Sequence, residues 1–408
     1  MPHAELSPRH LRPDELDTYV ELVHAAFLQD VTPEGAARDR ALIDPARFHG
    51  IFDTRGVMVG GGGILSRRMT LPGTGPTPVA AVTSVGVAPG HRRRGVLGTL
   101  MRAQLHELHE TGGEAIAVLW ASEGGIYGRF GYGCAVEKIA LTVPRGSAFR
   151  PGVAVGNARV VELPREQAMP LLRELHAKAT TERVGWIDRP QESWEWWYGD
   201  TPDTRDGTTR LRFALHPEGY ATYRVRHNWT DQGPRHKVHL TELVALTDQA
   251  HAALWRYLLD LDLTGEVELW NAPVDEPLVH LLADPRAARR QVSDALWVRL
   301  VDLDRALVAR RYAAPLDVVL EVDDALCPWN AGRWRVRVDT EGTAEVRRTE
   351  DDPDLALDVT DLGAVYLGGV RLTTLAAAQR VRELRPGALL AAGRAFATDR
   401  APHCPEIF

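Results

Sequence analysis

Between Val82 and Gly133 the chain runs through a strand, a basic glycine turn, a helix, a second strand and an aromatic turn. Few folds accept that order. Val79 to Val87 is rich in β-branched residues, which favours a strand. It leads into Ala88-Pro89-Gly90-His91-Arg92-Arg93-Arg94-Gly95. From Val96 to His109, Leu97, Leu100, Met101, Leu105 and Leu108 fall on one stripe, which predicts a helix. Thr111-Gly112-Gly113 stops it. Amides at a helix start, with arginines beside them, make a site for a pyrophosphate. Gly95 lets a phosphate approach the backbone closely. Ala115 to Trp120 is a short apolar run of the kind found in strands buried on both faces. Ser122-Glu123-Gly124-Gly125-Ile126-Tyr127-Gly128-Arg129-Phe130-Gly131-Tyr132-Gly133 follows as a turn. A basic triplet alone is nearly always a solvated turn, and a glycine-rich aromatic turn is usually structural. Their succession suits an enzyme that handles a phosphorylated carrier.

The remaining sequence narrows the class. A chain of 408 residues suggests about three domains. A net charge of -7 argues against generic nucleic-acid binding, which needs a basic field. Cys134, Cys327 and Cys404 are scattered and odd in number, so neither a disulfide framework nor a zinc site is expected. Met1-Pro2-His3-Ala4-Glu5 does not read as a secretory signal, and no apolar run reaches membrane-spanning length. The expectation is a cytoplasmic protein without membrane contact. His106-Glu107-Leu108-His109 has its histidines three apart, where a zincin helix needs four. These residues are expected to lie on an ordinary helix surface, and no metal is expected.

Leu16 to Phe27 has helical spacing of apolar residues, and Val57 to Ser66 reads as a glycine-rich strand. The middle third repeats the plan of the first. Leu211 to Ala214 and Gly219 to Arg226 predict a hairpin, Val238 to Leu246 a strand, and Asp248 to Leu259 a helix capped by Asp248. Its strand-to-helix junction has no glycine or arginine, and a carboxylate there repels phosphate. Trp186 and the run Trp194-Glu195-Trp196-Trp197-Tyr198 could line a pocket for a cationic ligand. Trp194, Trp197 and Tyr198 also make one helical face, and core packing is the plainer reading. In the last third, Asp304 to Arg311 and Ala388 to Ala397 look helical, and Leu316 to Val322 and Arg333 to Val338 look like strands. Pro402 and Pro405 force an extended tail, and its aromatic last residue suggests a docked one.

The runs HRRRG and ASEGGIYGRFGYG resemble those of the GNAT acetyltransferases, and most of all the Eis (enhanced intracellular survival) group. The resemblance implies an α/β (α+β) chain of tandem GNAT-like domains followed by a sterol-carrier-like α/β domain. The expected divisions are 1–150, 151–298 and 299–408. It implies acetyl-CoA as cosubstrate, held by Arg92, Arg93, Gly95 and Val96 at its phosphates, by Val85 and Val87 along the pantetheine arm, and by Ser122 near the acetyl end. An N-cap role for Ser122 is an equal alternative. Leu97 stands where the wider family has Gly or Ala. Matched onto the motif, Tyr127 is the general acid and Tyr132 is core. A thiol near pKa 8.5 leaves as thiolate, and a phenol near 10 is protonated to meet it.

The resemblance also assigns the base to the terminal carboxylate of Phe408, with Glu123 the obvious carboxylate inside the motifs. Eis itself has an acidic residue where this chain has Ile407. The expected partner is a small-molecule amine, an aminoglycoside or similar, in a homo-oligomer that is a hexamer by resemblance. The rival is a ligand- or lipid-binding protein on a GNAT scaffold.

Overall fold

The computed structural model describes residues 6–408. It divides into two compact units. One holds residues 6–136 with Ile187–Gly199 and Ala295–Phe408; the other holds Glu137–Trp186 and Asp200–Asp294.

In the first unit, β1 (Ser7–His10), β2 (Phe48–Phe52), β3 (Met58–Thr70) and β4 (Pro76–Val87) form an antiparallel meander. β5 (Ile116–Trp120) joins β4 in parallel, and Leu296–Leu300 pairs antiparallel with β5. Gly133–Cys134 completes the seven-stranded sheet. The helices that matter to the site are α1 (Leu16–Ala26), α2 (Pro33–Arg40) and α3 (Val96–Thr111). The α3 stripe buries Leu100, Met101, Leu105 and Leu108. Gly112 ends the helix in the left-handed region (φ 63°). β5 is buried at every residue except Trp120.

A five-stranded sheet in the same unit has the order Ala344–Arg348, Gly332–Val338, Leu316–Asp323, Leu355–Asp358, Val381–Glu383. Helix Ala388–Phe396 precedes a tail without helix or strand. The helix expected over Asp304 to Arg311 is Leu303–Val308. Beyond it the buried Arg310 guanidinium donates to the carbonyls of Tyr366 and Phe396.

The second unit has its own seven-stranded sheet. It includes the hairpin Arg212–His216 and Gly219–Arg226 and the strand His236–Ala245. Helix Asp248–Leu259 packs Leu254, Trp255, Leu258 and Leu259 into that unit's core. Its cap is Thr247 rather than Asp248. Thr247 is in extended backbone and accepts from the Ala250 N–H at 3.3 Å. Asp248 is the first helical residue, where its charge suits the helix dipole. No helix of the described residues is long and apolar enough to cross a membrane.

Candidate active site

The basic loop is shaped by two residues with positive φ: Arg93 (62°) and Gly95 (83°). Gly95 takes that conformation without steric cost and stands as the N-cap of α3. The first bond inside the helix runs from the Thr99 N–H to the Gly95 carbonyl (2.9 Å). The amides of Val96, Leu97 and Gly98 therefore precede any intrahelical partner, as helix geometry requires. Arg92, Arg93 and Arg94 are exposed around them. Arg92 donates to the Ala26 carbonyl at 3.1 Å, which draws its side chain toward the end of α1. The Val96 side chain is buried, packed so near β3 that a Cβ on Gly60 would lie 2.5 Å from Val96 Cγ1. Val96 thus anchors the helix in the core and leaves only its backbone to the loop.

β4 pairs with β5 only at Ala80 and Ala81. Beyond them the strands diverge, and the β5-facing side of Val82 to Val87 has no ladder partner among the described residues. Such an edge can take an added extended segment. Ser84 lies in the left-handed region (φ 51°) opposite a register shift in β3, so the strand bulges there. The Tyr19 hydroxyl donates to the Ser84 carbonyl at 2.6 Å and holds the bulge.

Tyr127 opens a short 3-10 turn, Tyr127–Phe130. It belongs to the same apolar cluster as Val96, and Val85 and Val87 pack against that cluster. Burial, then the nearby Glu123 charge, pushes its phenol up to about 12. Tyr132 is fully buried beside it, with ring centroids 6.0 Å apart, and is core. Ser122 is exposed in a bend. It does not cap the turn, whose N-cap is Ile126 without a side-chain cap.

On the other side of the bulge lies a cavity of about 350 Å³ in the first unit. Thr83 and Ser84 border it, and so do Glu406, Ile407 and Phe408 from the tail. Its walls are largely apolar, from Val23, Phe27, Leu42, Phe48, Leu65 and Trp196. Asp39 of α2 faces it with a carboxylate set by two donors: His24 Nε2 at 2.8 Å and Trp196 Nε1 at 2.8 Å. Tyr127 does not border this cavity.

The tail is fixed from beneath. Glu406 is buried and accepts from Arg67 Nη2 of β3 at 2.9 Å and from Arg189 Nε. The Arg189 guanidinium also lies 4.6 Å over the Trp194 ring. Trp194 and Tyr198 stack in the core at 5.3 Å, as their shared helical face predicts, whereas Trp196 of the same run borders the cavity. Cys134, Cys327 and Cys404 form no disulfide.

The histidines of α3 depart from the sequence expectation. His109 stacks on Trp329 at 4.0 Å and pairs with Asp302 at 2.5 Å, and His106 meets the same Trp329 edge-on. They bind α3 to a later segment of the unit instead of lying on open surface. Sequence reasoning also passes over His24, Asp39, Arg67 and Arg189. No spacing marks them, because each meets its partner only in the folded unit.

Residues 7–135 and 185–304 each match the family described as acetyltransferase (GNAT) domain, and residues 303–405 match the sterol carrier protein domain. An N-acetyltransferase of Streptomyces avermitilis is 42% identical over 98% of this chain and 99% of its own length. N-acetyltransferase Eis of Mycobacterium tuberculosis is 36% identical over 93% of each chain. Among solved structures, Eis1 from Mycobacterium abscessus superposes with a TM-score of 0.86 at 34% identity, covering 99% of this chain and 100% of that one. With these relatives spanning nearly its whole length, the chain belongs to the GNAT N-acetyltransferases, acetyl-CoA-dependent as a family, and to the Eis-like group that joins two GNAT domains to a sterol carrier domain.

Proposed function

We propose that this chain acetylates a primary amine of a small molecule, an aminoglycoside or similar polyamine, by direct attack on acetyl-CoA in a ternary complex. The observation that carries the reading is the setting of β4. Its unpaired edge ends in the basic loop, its residues pack against the Tyr127 cluster, and its bulge borders a cavity. In this reading, residues 1–150 are the catalytic module, 151–298 a module without a cofactor site, and 299–408 the module that brings the tail. The assembly is a homo-oligomer, a hexamer, which light scattering checks against the 45.1 kDa protomer.

Arg92, Arg93, Gly95 and the Val96 amide hold the phosphates, Val85 and Val87 the pantetheine arm, and Ser122 the acetyl end. The amine nitrogen attacks the thioester carbonyl, the carbon–sulfur bond breaks, and Tyr127 gives its proton to the leaving thiolate. The carboxylate of Phe408 takes the proton that the amine loses, directly or through water. Adding residues after Phe408 is expected to abolish turnover and leave acetyl-CoA binding intact. Full activity of the extended chain moves the base to Glu123 or to water.

Removing the Arg92 or Arg93 guanidinium by substitution with Ala is expected to weaken acetyl-CoA by about 1.5–3 kcal/mol, the scale of a charge-assisted hydrogen bond. The loss is larger at low salt. Calorimetry that finds both variants unchanged removes the loop from the site.

Asp39 supplies a carboxylate for a substrate ammonium. Asp39→Asn is expected to lower kcat/KM for diamines by about tenfold to a hundredfold, with monoamines of equal length less affected. Equal loss for both series argues against that role.

The decisive experiment is thiol release from acetyl-CoA across a panel of amines. Release that depends on the amine supports the enzyme. Acetyl-CoA binding without it favours a carrier on a GNAT scaffold.

A further inference from the structure

His10 of β1 stands directly opposite His49 of β2 in the antiparallel ladder. Opposed residues project from the same face of a sheet, and the two imidazole centroids lie 4.4 Å apart. Glu107 of α3 reaches the same point. Its carboxylate is 3.0 Å from His10 Nε2 and 2.8 Å from His49 Nε2. All three potential ligand atoms lie within 4.8 Å of one another. None of these residues lines the cavity or belongs to the basic loop.

We propose that His10, His49 and Glu107 bind a divalent transition-metal ion, with Zn²⁺ the best fit. Two imidazoles and one carboxylate, with a fourth position open to water, is a donor set that zinc accepts. Ligand bonds of about 2.0–2.2 Å in a tetrahedron put ligand atoms roughly 3.3–3.6 Å apart. The contacts to Glu107 are 3.0 and 2.8 Å, so an ion needs only small outward shifts of the side chains.

The burial is graded for entry. The His49 side chain is 6% exposed, Glu107 33% and His10 44%, so the site opens on the His10 side. His49 presents Nε2, 2.8 Å from the Glu107 carboxylate, as the atom to receive an ion. The three donors sit on two strands and a long helix, elements that hold ligand positions better than loops. An ion there ties the edge strand β1 to α3, the helix that begins in the basic loop.

The test uses the full chain after chelator treatment. Zinc is titrated by calorimetry, and cobalt by the visible absorption of a four-coordinate ion. One equivalent is expected, and the melting temperature rises when it binds, because the ion favours the folded state. His10→Ala and Glu107→Gln should each weaken zinc at least tenfold and remove that rise. His10 is exposed enough for its variant to fold. No saturable zinc binding, or equal affinity in the native chain and both variants, overturns the proposal. Neither readout depends on acetyl transfer.

Discussion

Tyr127→Phe is expected to lower kcat by about 10²–10⁴-fold, the usual contribution of a positioned general acid. The ring that packs in the cluster remains, and only the hydroxyl goes. Acetyl-CoA affinity should barely move, so the loss falls on kcat and not on binding. The pH dependence gives a second check. Burial holds this phenol up to about 12, well above its ordinary value. The proton is therefore present throughout the neutral and mildly alkaline range, and Tyr127 should impose no alkaline fall on kcat/KM up to about pH 10. Near-normal kcat in Tyr127→Phe, or its loss in Tyr132→Phe instead, would falsify the assignment.

Glu406→Gln is expected to damage the chain more than a tail residue ordinarily does. Its carboxylate is the buried anion between two guanidiniums with almost no solvent exposure, those of Arg67 and Arg189. Removing one partner of a buried ion pair costs about 3–5 kcal/mol, because the remaining charge stays desolvated. Gln has nearly the same shape, so packing is preserved and the charge alone is tested. The loss should show as a lower denaturation midpoint and as faster digestion by carboxypeptidase. Turnover should fall with it, because Phe408 is held two residues from the clamp, while acetyl-CoA still binds. A Glu406→Gln protein with native stability and a protected tail shows that the ion cluster does not hold the chain end.

The strand–loop–helix is legible because its signals are local. β-Branched residues mark β4, the leucine stripe marks α3, and Gly95 and Gly112 take the left-handed conformations that their positions demand. The Tyr127 turn is legible from its glycines for the same reason. The wall of the cavity is not. His24 and Asp39 look like polar residues on two helices, and only folding brings Nε2 and Oδ2 to 2.8 Å. Arg67 looks like a misplaced charge in an apolar strand until Asp188 and Glu406, both far along the chain, supply counter-charges. Trp196 is hidden in a run whose stronger pattern is the core face of Trp194 and Tyr198. The His106–His109 run misleads in the other direction. Its spacing excludes one zinc motif, and Glu107 meets its histidines from different strands.

The strand Leu296–Leu300, which pairs with β5, has a consequence for synthesis. The ribosome finishes β5 roughly 180 residues before this neighbour, an interval of about 10–35 seconds at 5–20 residues per second. Throughout that time one side of β5 has no ladder, and its apolar residues lack their final cover. A nascent chain cannot close the sheet behind the basic loop until most of the message has been read. Premature termination before Leu300 therefore yields an open edge prone to association, and not a small working enzyme.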